Sequence, residues 1–133
     1  MAGILYLVPT PIGNLGDISL RAKQTLENAD FIAAEDTRVS LKLLNHLEIK
    51  KPLVSYYEHN KTFKGGRIVE RILAGETCAL VSDAGSPAIS DPGEDLVKEC
   101  AAAGITVCAI PGPCAAITAL SISGQSTGRF CFE

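Results

Sequence analysis

A chain of 133 residues, 47% of them hydrophobic and 20% charged, holds enough apolar material for one compact core and is short for two ordinary domains. That balance excludes disorder and fibrous repeats, and with aromatic residues at 5% and no tryptophan the core falls to Ile, Leu, Val and Ala, the usual filling of a buried parallel sheet. The formal net charge of −3 gives no global attraction to nucleic acid or an anionic membrane, so any RNA contact has to come from a local patch.

In chain order, apolar runs at residues 4–8, 31–34, 52–56, 78–82 and 106–110 predict strands, each ending in polar or glycine punctuation. Helical spacing predicts helices between them. The first covers 19–29, with Ser19 as cap and Leu20 and Leu26 facing inward, and the second 38–47, with Leu41, Leu44 and Leu47. The third covers 62–74, with Ile68, Val69, Ile72 and Leu73 and a stop at Gly75. The fourth covers 92–103, with Asp91 as N-cap, Pro92 in the first helical position and Gly104 at the end. The last is 115–123. Strict alternation of strand and helix, joined by right-handed crossovers, predicts an α/β fold: a parallel five-stranded sheet with helices on both faces.

No apolar run reaches the roughly 18 to 20 residues needed to cross a bilayer, and Met1-Ala2-Gly3 lacks the basic start of a secretory signal, so the expected location is the cytoplasm. The five cysteines, Cys78, Cys100, Cys108, Cys114 and Cys131, never fall at C-x-x-C spacing and are expected to be buried reduced thiols. His46 and His59 are far from them in sequence, and no zinc site is expected.

Ligands of such a sheet collect beyond the carboxyl ends of the strands. The first loop there is not a dinucleotide fingerprint: G-x-G-x-x-G is absent, and Pro9 and Pro11 replace backbone donors that a pyrophosphate needs. It is either a rigid wall for a ligand with little phosphate or an ordinary tight turn. The fourth loop, 83–93, has few conformations and pairs backbone amides and carbonyls with Ala88 and Ile89, which suits a nucleoside. Asp83 and Asp91 make a poor metal site, since Asp91 already has a capping role.

Pro111-Gly112-Pro113 leads into Cys114 and Ala115 at a helix start, where unpaired N–H groups face a ligand; Cys114 lacks an obvious paired base and reads better as lining than as nucleophile. Glu35, Asp36 and Arg38 put an acid pair and a guanidinium at one strand end, for substrate binding, general base work or capping through Asp36. His59 and Asn60 fall at the same edge, with a solvated loop histidine as the plain alternative. Lys50, Lys51, Lys61, Lys64, Arg67 and Arg71 form a basic stretch near Tyr56 and Tyr57, either a surface for a phosphate backbone or a solvated face.

The stretches LVPTPIGNLGDI (7–18), AEDTR (34–38), SDAGSPAISDPG (82–93) and IPGP (110–113) together resemble the tetrapyrrole methylase superfamily, and within it the bacterial methyltransferases of small-subunit ribosomal RNA. The resemblance implies S-adenosylmethionine as methyl donor and the 2′-hydroxyl of a cytidine in 16S ribosomal RNA as acceptor. It also implies a second α/β domain that shares the donor cleft. Residues 1–123 are then the N-terminal domain and 124–133 the start of a linker, with half the donor site missing and this fragment alone expected to be inactive.

By motif, the donor residues carried over are Ile12, Ala84, Gly85, Ser86, Ile89, Cys114 and Ala115. Glu35 or Asp36 is expected to deprotonate or orient the ribose hydroxyl, Arg38 to hold a phosphate, and His59 or Asn60 to position the nucleotide. Lys61, Lys64 and Arg67 are the expected RNA contacts, no metal is required, and a homodimer follows by analogy. Gly85-Ser86-Pro87 stands where many tetrapyrrole methylases carry Gly-Asp-Pro, which argues against carbon methylation of a porphyrin or corrin. The competing readings are a non-catalytic nucleoside-binding module and a methylase of a tetrapyrrole or a protein side chain.

Overall fold

The computed structural model describes residues 1–133. Five strands, β1 (Ile4–Leu7), β2 (Phe31–Ala34), β3 (Leu53–Ser55), β4 (Cys78–Val81) and β5 (Thr106–Ala109), form one sheet in the order β3-β2-β4-β1-β5. Every pairing is parallel, with Leu5 opposite Cys78 and Val107, and Ile32 opposite Ala79 and Leu53. The helices are α1 (Leu20–Asn28), α2 (Thr37–His46), α3 (Lys61–Leu73), α4 (Gly93–Ala102) and α5 (Ala115–Ile122). A 3-10 turn at Leu15–Asp17 interrupts the loop after β1.

The pleat divides the core into two layers. Phe31, Ala33, Cys78 and Leu80 face Ile68 and Ile72 of α3 and Leu96 and Cys100 of α4. Ile32, Ala34, Ala79 and Val81 face Ala22 and Leu26 of α1 and Leu44 of α2. The expected doubly covered parallel sheet is therefore the observed fold. β2 and β4 are buried at every position, whereas edge strand β5 is not.

The helical spacing placed each helix, but its phase needed the packing. Leu20, expected inside, is 71% exposed, because the buried i, i+4 pair of α1 is Ala22 and Leu26. In α2 the inward pair is Ser40 and Leu44, which turns Leu41 to solvent. Leu73 is likewise exposed at the end of α3. Caps fare better: Ser19 Oγ accepts from Ala22 N at 3.0 Å, and Gly75 and Gly104 take the left-handed φ of +109° and +74° beyond α3 and α4. At α4 the start shifts by one residue: the helix begins at Gly93 with Pro92, of helical dihedrals, in the N-cap position, while Asp91 Oδ1 still accepts from Gly93 N at 2.7 Å.

All five cysteines are free thiols, but only Cys78 and Cys100 are buried; Cys108 and Cys114 are half-buried and Cys131 is exposed. The expectation of five buried thiols fails because the last three lie on the edge strand, at a pocket and in the tail, where the sheet no longer covers them. Helix α5 is apolar in sequence yet buries no residue, with Ile117 and Ile122 open to solvent.

Candidate functional site

The loops at the carboxyl edge are fastened to one another by their backbones. Thr10 N donates to Gly85 O at 3.1 Å and Gly85 N to Thr10 O at 3.0 Å, which joins the first loop to the fourth. Ser86 Oγ donates to Pro113 O at 3.2 Å, which joins the fourth to the fifth. Gly112 packs so closely on Pro9 that a β-carbon there would lie 2.3 Å from Pro9 Cγ. Within the fourth loop Ala88 and Ser90 hold positive φ of 70° and 53°, which costs non-glycine residues energy. Asp91 holds that conformation, accepting from Ala88 N at 2.9 and 3.0 Å as well as from Gly93 N. Burial raises the Asp91 pKa above the ordinary aspartate value, against the opposing pull of these backbone donors.

A cavity of about 570 Å³ opens on this framework, within the range of roughly 300–1,000 Å³ that takes drug-sized ligands. Its lining contains all seven residues assigned to the donor by motif: Ile12, Ala84, Gly85, Ser86, Ile89, Cys114 and Ala115. Gly85, at φ +78°, is a place where only glycine is at ease, and a β-carbon there would come within 3.3 Å of Ile12 Cγ2 and 3.4 Å of Pro113 O. Phe130 and Phe132, in the tail expected to begin a linker, stand on the same wall. Two phenylalanines at i, i+2 in an aromatic-poor chain were the available signal.

Beside this cavity lies a carboxylate group. Glu35, an exposed residue, has its pKa raised by partial desolvation first and then by the negative charges of Asp83, Asp91, Asp36 and Glu58. Asp36 differs in kind. It caps α2 by accepting from Arg38 N at 2.9 Å and pairs with the Arg38 guanidinium at 3.1 and 3.2 Å, which lowers its pKa and raises that of Arg38. Asp83 Oδ1 accepts from Asp36 N at 3.3 Å, so the second and fourth loops also meet. The structure thus separates the two acids that the sequence left equivalent: Asp36 is occupied, while Glu35 holds its proton to higher pH.

His59 is not brought into this group by any hydrogen bond; it stands exposed, with its ring edge-on to Tyr57 at a centroid distance of 6.4 Å. Asn60 is used within its own turn, accepting from Tyr57 N at 2.7 Å and donating to Ser55 O at 3.1 Å. In the basic stretch, Lys61 is held by Glu58 at 2.9 Å and by Asp95 of α4, and its pKa is raised by both. Arg71 is bidentate to Glu76 and lies over the Phe31 ring at 3.6 Å. Lys64 and Arg67 have no ion pair, and Arg67 sits 5.0 Å from the centroid of exposed Phe63. No group of three or more His, Cys, Asp or Glu residues converges as a ligand set for a metal, and no helix is long and apolar enough to cross a membrane.

Comparison with known proteins places these features in context. The family described as Tetrapyrrole (Corrin/Porphyrin) Methylases matches residues 4–130. A Haemophilus influenzae protein named ribosomal RNA small subunit methyltransferase I is 55% identical over 133 residues, which are 100% of this chain and 47% of that protein. A protein of the same name from Halalkalibacterium halodurans is 58% identical over 130 residues, covering 98% of this chain and 45% of its own length. The chain therefore spans about half the length of the curated relatives it matches. Among solved structures, a conserved hypothetical protein of Aeropyrum pernix superposes with a TM-score of 0.77 at 24% identity, over 98% of this chain and 46% of that one. A uroporphyrin-III C-methyltransferase of Thermus thermophilus superposes with a TM-score of 0.68 at 25% identity, over 93% of this chain and 53% of that one.

Proposed function

The chain belongs to the tetrapyrrole methylase family, and on that premise we propose that it supplies the N-terminal half of an S-adenosylmethionine-dependent enzyme that methylates a cytidine 2′-hydroxyl in small-subunit ribosomal RNA. Support for the acceptor comes from the relatives named ribosomal RNA small subunit methyltransferase I and from Ser86 in place of the acidic residue of many relatives that act on tetrapyrroles. The observation that carries the donor assignment is the convergence of all seven motif residues on one cavity.

The cavity suits the donor chemically. Ile12, Ile89 and Ile117 give apolar contact for the flat faces of a nucleoside, and glycine at position 85 lets backbone approach it closely. S-adenosylmethionine supplies a methyl group on a positively charged sulfonium, so the acceptor oxygen needs alignment and loss of its proton rather than a metal. The carboxylate group around Glu35 favours a cation at this edge. Glu35 takes the proton of the ribose hydroxyl, its raised pKa bringing it nearer to a working general base than paired Asp36. Asp36 fixes Arg38, whose exposed guanidinium holds a phosphate beside the acceptor. Lys64 and Arg67 extend that contact along α3, Lys61 being engaged by Glu58 and Asp95.

Residues 124–133 then lead toward a second domain that completes the cleft, and Phe130 and Phe132 form part of its floor. The test joins this chain to the second half of the Haemophilus influenzae relative and incubates the product with S-adenosylmethionine and small ribosomal subunits. Nucleoside mass spectrometry is expected to find 2′-O-methylcytidine. A base-methylated nucleoside would overturn the acceptor assignment, and loss of S-adenosylmethionine binding in the folded fusion would overturn the donor assignment and leave a binding module.

A further inference from the structure

A second cavity, of about 250 Å³, is lined by residues of the first and fourth loops and of α2, among them Thr10, Leu15, Val39, Ser40, Lys42 and Asp83. The same two loops serve both cavities with consecutive residues: Thr10 and Pro11 line this one and Ile12 the donor cavity, while Ser82 and Asp83 line this one and Ala84 to Ser86 the other. Thr10 and Ser40 are the two buried polar residues of the chain, and both are here. Thr10, 3% exposed, has a hydroxyl with no hydrogen-bond partner. An orphaned buried hydroxyl costs roughly 1–3 kcal/mol, and a residue of the cavity wall carries this one, so a ligand that reaches it relieves that cost.

Resting on the methyltransferase reading above, we propose that this cavity receives the base of the acceptor nucleotide and that Thr10 and Asp83 select cytosine over uracil. The volume lies below the roughly 300–1,000 Å³ of drug-sized pockets and suits a single base rather than a whole donor molecule. Pro11, Leu15, Val39 and Leu43 give the ring apolar faces, with Leu15 and Val39 47% and 40% exposed. Asp83 Oδ1 is engaged by Asp36 N, which leaves Oδ2 to accept from an amino group. Cytosine offers that amino group, as carboxylates read it elsewhere, and uracil presents a carbonyl oxygen that an ionised carboxylate repels. The Thr10 hydroxyl donates to the ring acceptor beside it. Lys42 stands at the exposed rim, where a nucleotide phosphate belongs.

The experiment is an amide NMR titration of the 133-residue chain with cytidine 5′-monophosphate and, separately, uridine 5′-monophosphate. Cytidine monophosphate is expected to shift Thr10, Ser40 and Leu43 saturably, with the uridine nucleotide about tenfold weaker, the equivalent of about 1.4 kcal/mol. Thr10→Val is expected to weaken cytidine binding about fivefold while Thr10→Ser retains it, and Asp83→Asn to erase the preference. Equal binding of the two nucleotides, shifts located elsewhere, no saturable shift, or an unchanged Thr10→Val would each overturn the proposal. S-adenosylmethionine added to parallel samples reports on Gly85 and Ala115. In the fusion with the second half of the Haemophilus influenzae relative, its failure to shift them counts against the donor site, whereas the nucleotide result judges the base pocket separately.

Discussion

Thr10 and Gly85 exchange both of their backbone hydrogen bonds, at 3.1 and 3.0 Å, so a residue just beyond β1 and one in the loop after β4 hold each other in place. The bond pair keeps the Thr10 side chain on one cavity and Gly85 on the other. Whatever displaces one of these residues displaces a wall of both cavities.

Gly85→Ala tests that coupling. Alanine at φ +78° is strained by about 1–2 kcal/mol, and its β-carbon crowds Ile12 Cγ2 and the Pro113 carbonyl. The chain is expected to remain folded with a midpoint of thermal unfolding lowered by several degrees. Binding of S-adenosylmethionine, followed by calorimetry in the fusion with a relative's second half, is expected to weaken at least tenfold. Unchanged binding would show that Gly85 does not bound the donor cavity.

Glu35 is expected to titrate above the ordinary glutamate value of 4.5, because partial desolvation and then the charge of Asp83 disfavour its ionised form. Methyl transfer that uses Glu35 as base is present above that raised pKa and lost as pH falls through it. Asp83→Asn removes the second of these causes, so the Glu35 carboxyl resonance in a carbon-13 NMR titration shifts its midpoint to lower pH. Glu35→Gln removes the acid limb of the rate profile and slows transfer about 100-fold or more. A Glu35 midpoint insensitive to Asp83→Asn would separate the two groups.

Asp91 carries the fourth loop. Asp91→Ala removes the acceptor for Ala88 N and the cap on Gly93 N, and is expected to cost about 2–3 kcal/mol in denaturant unfolding. Its pH dependence has a definite sign. Burial raises the folded pKa above 3.8, so the native state binds more protons than the unfolded chain between those two values, and stability falls as pH rises through that window. Asp91→Asn is expected to remove this slope; an unchanged slope would assign it to other carboxylates.

For RNA, the ion pairs divide the basic residues into two classes. Lys64→Ala and Arg67→Ala are each expected to reduce the salt slope of binding to small-subunit ribosomal RNA by roughly one. Lys61→Ala is expected to leave the slope unchanged and to loosen the link from Glu58 through Lys61 to Asp95 of α4. A slope change at Lys61 equal to that at Lys64 would show that its ion pairs open on binding.

Much of the architecture was legible because its signals are local. Alternating apolar runs and helical spacing are written along each segment, and prolines and glycines mark the loops that close the larger cavity. What escaped depended on partners distant in sequence. Leu20 and Leu41 have the right period, but only contact with the sheet shows that Ala22 and Ser40 set the inward phase. Lys61 reads as a free cation until Asp95 comes alongside, and Glu35 and Asp36 read as twins until Arg38 takes one of them. The base pocket was hidden for the same reason, since Thr10, Ser40 and Asp83 come from three different loops and helices.

The strand order also governs how the chain must assemble. β1 precedes the other four strands in the sequence, yet it pairs only with β4 and β5, through residues 78–80 and 106–109. β2 and β3 need only α2 between them to pair. Closing a long loop is entropically costly before its contacts form, so the β2–α2–β3 unit is the natural early nucleus and β1 a late arrival. The loop that carries Thr10 beyond β1 is therefore shaped last: the folding chain has most of its secondary structure before it has either cavity, and ligand binding reports completion of the sheet rather than its onset.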